Sequence, residues 1–276
     1  MRTETFSTPR QLAVNVKLSR GDVDVETADV AETTVTLTGE TDRALAQIEQ
    51  ATVRLDSRGD RDELVVDADT DDISWGSERI KLAISFGKKD SIRVRVVCPH
   101  GTELGVETGS ADLRANGRFG AVSARTASGD VTVGEVERDA EVKVASGDVR
   151  IERVGGSLKA QTAAGDISTG AVDGSANVKT AAGDISLSEV GHDVAVTSAS
   201  GDVHVASVTQ GKVELKSVSG DLIVGVRRGS RVWMDVKTVT GSARSDLDTD
   251  AADDGDGPLV ELKATAMSGD IRIIRA

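Results

Sequence analysis

From its middle onward the chain alternates apolar and polar residues in short runs, and the runs recur at a fixed interval. Gly129-Asp130, Gly147-Asp148, Gly165-Asp166, Gly183-Asp184 and Gly201-Asp202 stand 18 residues apart, and Gly220-Asp221 follows one residue late. A diverged Gly241-Ser242 and a final Gly269-Asp270 come at longer spacing, and Gly109-Ser110-Ala111-Asp112 opens the series. Aligned on these pairs, the units form apolar columns. One holds Val131, Val149, Ile167, Ile185, Val203 and Leu222; two residues on stand Val133, Ile151, Thr169, Leu187, Val205 and Val224; three further stand Val136, Val154, Val172, Val190 and Val208. The return half adds Val122, Ala140, Leu158, Ala176, Val194 and Val213, then Ala124, Val142, Ala160, Val178, Val196 and Leu215. A spacing of two within each run is the strand period, and Gly or Asp stands where the chain must turn.

This pattern predicts an all-β fold, a single-stranded parallel β-solenoid in which each 18-residue unit is one coil. An antiparallel sandwich also suits short strands with frequent turns, but constant columns favour the solenoid. A right-handed β-helix is expected because parallel crossovers are nearly always right-handed. About seven coils at roughly 4.8 Å each would extend roughly 35 Å.

Residues 1–100 are less periodic but still strand-like, at Leu12–Leu18, Val23–Thr27, Thr33–Thr38, Leu64–Ala68, Ile80–Phe86 and Ile92–Val97. Between them Asp42–Gln50 carries an N-terminal acid and Leu45 and Ile48 at helical spacing, which predicts one short helix. Gly21-Asp22 resembles a repeat turn, so residues 1–100 are expected to be a diverged β capping region of the same architecture, with 101–276 the regular solenoid. The acidic stretch Asp246–Pro258, which widens the last interval, is expected to be a surface loop inserted between coils.

Composition narrows the function classes. The only aromatics are Phe6, Trp75, Phe86, Phe119 and Trp233, so Val, Ile, Leu and Ala must build the core, as suits thin stacked layers. A formal net charge of −13 disfavours nucleic acid and anionic membranes. Cys98 is the only cysteine, which excludes an intramolecular disulfide and a cysteine-cluster metal site. The N-terminal residues lack the apolar run of a secretory signal, and no run is long enough to span a bilayer, so a cytoplasmic location is expected.

The segment Val94-Arg95-Val96-Val97-Cys98-Pro99-His100-Gly101-Thr102-Glu103-Leu104, leading into Thr108-Gly109-Ser110-Ala111-Asp112-Leu113 and the repeated Ala-Ser-Gly-Asp-Val units, resembles the bacterial adhesin-like β-strand-repeat family of unknown function, the Toastrack domain. The resemblance covers nearly the whole chain. It implies a single-chain β-helix with no established enzymatic activity, often linked to envelope-stress proteins or membrane-anchored partners. Family members often add a transmembrane helix or an N-terminal helical domain; this sequence has neither, which weighs against direct membrane insertion.

Candidate chemistry divides between sites and scaffolding. Stacked coils would hold Asp130, Asp148, Asp166, Asp184, Asp202 and Asp221 about 5 Å apart, close enough for like-charge repulsion of roughly 0.9 kcal/mol per pair in bulk-water dielectric, which a metal would relieve. The alternative, which every other criterion favours, is that each Asp accepts backbone N–H groups of its own turn while its Gly takes a conformation other residues resist. Asp246, Asp248 and Asp250 have the alternate spacing of a calcium loop, but Ala251 replaces the required Gly and Gly257 the bidentate Glu, so a solvated loop is the preferred reading. Arg125, Lys143, Gln161, Lys179, Thr197 and Lys216 form an outward column that could face an anionic polymer, with Arg227, Arg228 and Arg231 nearby, although outward β positions are ordinarily polar. His100, His192 and His204 fall far apart or in different columns, and no nucleophile elbow, phosphate loop or dinucleotide fingerprint occurs. No catalytic, cofactor or metal site is therefore expected.

Two function classes remain. One is a non-catalytic scaffold or protein-binding module; the other is a carbohydrate-active β-helix enzyme or polysaccharide-binding protein. Repeated columns and scarce aromatics favour the first, because an enzyme needs unique groups converging on one cleft. The chain stops in Ile271-Arg272-Ile273-Ile274-Arg275-Ala276 without a cap, so this strand is expected to be an open edge. Either the acidic stretch covers it, with Arg272 and Arg275 as gatekeepers, or two chains join there as a twofold homodimer, which is favoured because the acidic stretch has little apolar surface to bury.

Overall fold

The structure, a computed structural model, describes residues 1–68, 91–247 and 257–276. The strand expected at Ile80–Phe86 lies outside the described residues. Contacts divide the chain into two compact units, Met1–Asp130 and Val131–Ala276.

The first unit contains β1 (Arg2–Ser7), β2 (Gln11–Ala28), β3 (Glu32–Gly39), α1 (Asp42–Gln50), β4 (Thr52–Arg58), β5 (Arg61–Asp67), β6 (Ile92–Pro99), β7 (Glu103–Phe119) and β8 (Val122–Ser128). The two runs expected at Leu12–Leu18 and Val23–Thr27 are one strand, β2, which bends through Gly21. It pairs in parallel with β7 on one side and with β5 and β6 on the other, and β7 pairs in parallel with β8. Inward residues Leu12, Val14, Val16, Leu18, Val23 and Val25 are all buried.

The rest of this unit departs from a purely parallel coil. β3 runs antiparallel to β1 and β6, and β4 antiparallel to β5. Strands β1 and β4 were not anticipated from the sequence; β1 pairs with β3 and β4 with β5. Helix α1 has the expected bounds, and the Thr41 hydroxyl caps it by accepting the N–H of Ala44 at 3.1 Å. Ala44 accompanies Ile48 on its buried face, not Leu45, which is 37% exposed.

The second unit is a parallel β-solenoid. Its strands are β9 (Val131–Val136), β10 (Ala140–Ser146), β11 (Val149–Val154), β12 (Leu158–Ala164), β13 (Ile167–Val172), β14 (Ala176–Ala182), β15 (Ile185–Val190), β16 (Val194–Ser200), β17 (Val203–Val208), β18 (Gly211–Ser219), β19 (Leu222–Val226), β20 (Arg231–Thr240), β21 (Ala243–Ser245), β22 (Leu259–Ser268) and β23 (Ile271–Arg275). Odd-numbered strands from β9 to β19 stack in parallel, as do even-numbered strands from β10 to β18, and the register advances one sequence repeat at each step. All the columns read as inward in this unit are buried, Ile185 to 1% exposure and Leu187 and Val205 to 0%.

Sequence reasoning missed one inward column. Val144, Thr162, Thr180, Ser198 and Ser217 also face the interior, and the hydroxyls of the last four have no hydrogen-bond partner in the protein. Their polarity disguised them as outward positions.

The end of the chain folds differently from the expectation. β22 lies between β18 and β20, and β23 between β19 and β21. The chain thus passes over one coil position to form β20 and β21, then returns to fill the gap with its last two strands. The Ile271–Ala276 segment is not an open edge, and most of the acidic stretch expected as a loop, residues 248–256, lies outside the described residues. Among the described residues the outermost strands are β20 and β21. Arg272 binds the Asp246 carboxylate at 2.7 Å, and Arg275 donates to the Ser230 carbonyl at 3.0 Å, so both serve internal bonds and not edge protection.

Candidate functional site

The repeated Gly-Asp turns are built by backbone geometry. Gly129, Gly147, Gly165, Gly183, Gly201, Gly220 and Gly269 all have φ between 120° and 141°, where a side chain is strained. The carboxylates do not cap their own turns as expected. Each accepts the N–H of the equivalent residue on the next coil: Asp166 donates to Asp148 at 3.0 Å, and Asp184 to Asp166, Asp202 to Asp184 and Asp221 to Asp202 at 2.8 Å. Asp130 donates likewise to Asp112 at 3.0 Å within the first unit. The ladder then follows the reordered coils, Asp270 donating to Asp221 and Ser242 to Asp270, each at 2.8 Å.

This arrangement joins neighbouring coils and offsets the like-charge repulsion that stacked carboxylates would otherwise feel, because each accepts a backbone dipole. The Ser242 N–H holds the Asp270 carboxyl below its usual range. Among the described residues no group of three or more His, Cys, Asp or Glu is placed to hold a metal ion. Of the calcium candidates, Asp246 is engaged by Arg272, and Asp248 and Asp250 lie outside the described residues.

The basic column is not a run of free cations. Lys143 binds Glu141 at 2.6 Å and Lys216 binds Glu214 at 2.7 Å, while Arg125 reaches Glu107 at 3.4 Å in the first unit. Hydrogen bonds from Lys143 and Lys159 lower the Glu141 carboxyl to about 2, and Lys216 lowers that of Glu214. The partners stand on the same strand at the next outward position or on the coil alongside, so three of the four cations of the column, Arg125, Lys143 and Lys216, are paired within the protein. Arg227 approaches Glu189 at 3.8 Å, and Arg231 donates to the Gly257 carbonyl at 3.1 Å.

The first unit has a shallow cleft of about 350 Å³ lined by Asn15, Arg61, Glu63, Glu103 and Ser123 among others. Arg61 pairs with Glu103, and Asn15 donates to Glu63 at 2.8 Å, so both acids are engaged before any substrate arrives. The histidines do not converge: His100 contacts Thr27 at 3.0 Å, and His192 contacts Gln210 at 3.2 Å. Cys98 is buried, and desolvation pushes its thiol up to about 11, so it is poorly suited to be a nucleophile.

A different feature stands out at the last three coil positions of the second unit. The exposed large apolar side chains described there are Val218, Trp233, Met234, Val239, Leu259 and Met267, and all six lie on the adjacent strands β18, β22 and β20. The register places Val218 beside Met267 and Met267 beside Val239 in one outward column, with exposures of 51%, 58% and 78%. The same column is alanine in earlier coils, at Ala145, Ala163, Ala181 and Ala199. Sequence reasoning passed over it because alternate residues of a β coil are read as polar; the change from Ala to Val and Met in the later units was the available signal.

Residues 10–273 match the family described as Toastrack DUF4097. No curated protein matches the sequence significantly. Among solved structures, a candidate adhesin from Bacteroides fragilis NCTC 9343 is similar at 13% identity and a TM-score of 0.41, over 98% of this chain and 96% of that one. A candidate adhesin from Parabacteroides distasonis ATCC 8503 is similar at 12% identity and a TM-score of 0.37, with the same coverage of 98% and 96%. A candidate cell adhesion protein from Clostridium sporogenes ATCC 15579 gives 10% identity and a TM-score of 0.26 over 100% and 99% of the two chains. Among the described residues no helix is long and apolar enough to cross a membrane.

Proposed function

Given that the chain belongs to the Toastrack DUF4097 family, we propose that it is a non-catalytic binding module that docks protein partners through the outermost coils of its second unit. The observation that carries this reading is the outward column of exposed Val218, Met267 and Val239 across β18, β22 and β20, with exposed Trp233 on the same face of β20. Apolar residues scattered singly over a surface are ordinary, whereas three side by side on adjacent strands mark an interaction surface. Trp233, 58% exposed, is the type of residue that anchors protein interfaces.

The rest of the described surface supports the same division of labour. Lys143 and Lys216 of its basic column are paired with Glu141 and Glu214, its turn carboxylates are occupied by backbone N–H groups, and its cleft acids are already bonded. A polysaccharide-cleaving site would need an acid and a second group free to act on one substrate. The link to envelope stress implied by the family resemblance, and a cytoplasmic location, belong to the same proposal; growth of a deletion strain under cell-wall antibiotics and subcellular fractionation test them.

The direct test is affinity capture from the native organism with the full chain and with a Trp233→Lys, Val239→Lys, Met267→Lys variant. Proteins retained by the parent and lost by the folded variant are the expected result. Identical captures would overturn the assignment to these coils. Turnover of a polysaccharide that a single Asp or Lys substitution abolishes would overturn the non-catalytic reading.

A further inference from the structure

The outermost strand of the second unit carries information about its own partner. Among the described residues β20 is paired on one side only, with β22. Arg231 donates its N–H across that pairing to the Pro258 carbonyl at 2.9 Å. Backbone groups alternate sides along a strand, so Arg231, Trp233, Asp235 and Lys237 point theirs at β22, while Val232, Met234 and Val236 point theirs at the open side. The side chains of Val232, Met234 and Val236 align with the buried Val260, Leu262 and Ala264 of β22, yet Met234 remains 39% exposed because no coil among the described residues covers it. Such an edge, apolar on its inner face and with open hydrogen-bonding groups, is a template for another strand.

We infer that this strand is a second copy's β20, paired antiparallel about a twofold axis through Val236. The strand is self-complementary in that register. Asp235 of one copy faces Lys237 of the other, and the reciprocal pair forms by symmetry; Trp233 faces Val239, and Met234 faces Thr238. Val236 meets its own equivalent with its backbone groups on the open side, so the two exchange both hydrogen bonds. The Asp235 and Lys237 pairs then fall at the closely approaching, non-hydrogen-bonded positions, where opposite charges on facing strands are most favourable. In the single chain these two groups contact each other at 3.1 Å along one strand, with Lys237 68% exposed, so both are available for exchange. No other register centred on a residue of β20 opposes these charges while burying Trp233 against an apolar neighbour. A twofold closes the assembly at two copies and leaves neither β20 edge open.

The inference rests on reading the outermost coils as a binding surface and names the occupant of their edge. The test is light scattering coupled to size exclusion, on the full chain at tens of micromolar in about 0.15 M NaCl, where the net charge of −13 is screened. Twice the chain mass is expected. Lys237→Asp and Asp235→Lys each place like charges opposite one another and should weaken the dimer at least roughly tenfold. Mixing the two variants restores both opposite-charge pairs and should give a heterodimer. Val236→Pro, which removes an N–H on the open side only, should give a monomer with an unchanged circular dichroism spectrum. A monomeric parent, or single variants that dimerise as well as the parent, would overturn the twofold pairing. A monomeric parent that still captures partners lost on substituting Trp233, Val239 and Met267 would overturn this inference alone and leave the binding module standing.

Discussion

Replacing Gly183 by alanine tests whether the solenoid depends on backbone contact at its turns. A Cβ at this position would lie 2.1 Å from the Gly165 carbonyl oxygen and 2.6 Å from its carbon, both backbone atoms of the adjacent coil. Relief to an ordinary contact near 3.4 Å would open the coil spacing there by about 1.3 Å. That movement stretches two bonds between the coils, from Asp184 N–H to Asp166 at 2.8 Å and from Gly165 N–H to the Ala182 carbonyl at 3.0 Å. The backbone at φ 131° adds strain for any residue with a side chain. With about 1–3 kcal/mol for the strained conformation and about 1 kcal/mol for each weakened bond, Gly183→Ala should cost about 3–5 kcal/mol. Asp184→Ala removes only a carboxylate that accepts an exposed N–H, at about 1 kcal/mol, and Asp184→Asn, which keeps the acceptor oxygen, should cost less. Urea unfolding followed by far-ultraviolet circular dichroism ranks the three, provided that the slope of the transition is unchanged. A Gly183→Ala variant no less stable than Asp184→Ala would refute the reasoning, since it would mean that the coils part freely at this turn.

Ile185→Asp, which places a charge at a position 1% exposed between two coils, should cost at least about 4 kcal/mol, and an unchanged melting temperature would contradict its inward orientation. Thr180→Val should be neutral or stabilise by up to about 1 kcal/mol, because its buried hydroxyl has no protein partner and Val144 occupies the same column; a loss of stability in urea unfolding would show that the hydroxyl is bonded to ordered water. Cys98, with its thiol near 11, should resist a disulfide reagent at about pH 8 in the native protein and react in urea; rapid native labelling would show that the site opens. Glu141 is depressed from 4.5 to about 2 when folded, so its contribution is present above pH 4.5 and disappears as the pH falls toward 2. Glu141→Gln should therefore flatten the acid side of the stability profile slightly in low salt and have no effect in about 1 M NaCl, as befits an exposed pair; an unaltered profile in low salt would remove Lys143 and Lys159 as its partners.

The orientation of side chains in the second unit was legible because it is a local property of a strand. Consecutive residues of an extended backbone face opposite ways whatever lies beside them, so a column of Val, Ile and Leu repeated at the coil length identifies the interior before any partner is known. The same argument failed for Thr162, Thr180, Ser198 and Ser217, since a buried hydroxyl looks like a surface one in a hydrophobic pattern. The candidate binding surface was hidden by the reverse error, as Val218, Met267 and Val239 occupy positions where alternation alone predicts polar residues.

The sequence by itself determined the strand period, most inward columns, the coil length, the helix at Asp42–Gln50 and the glycine turns, because each depends on residues close along the chain. The tertiary structure decided which coil lies next to which. Parallel pairing is indifferent to chain order, so the coil with the stronger apolar set goes inside. Val260, Leu262, Ala264, Ala266, Ile271 and Ile273 of β22 and β23 are all buried, while β20 and β21 offer Val232, Met234, Val236, Thr238, Ala243 and Ser245 and take the edge. Exchanging the two would expose the isoleucines and leucine and bury the threonine and serine, at a cost in transfer free energy that the longer return of the chain does not match, since loop-closure entropy grows only with the logarithm of length. That choice places Trp233 and the Asp235–Lys237 pair at the end of the unit, and no periodicity in the sequence could have put them there.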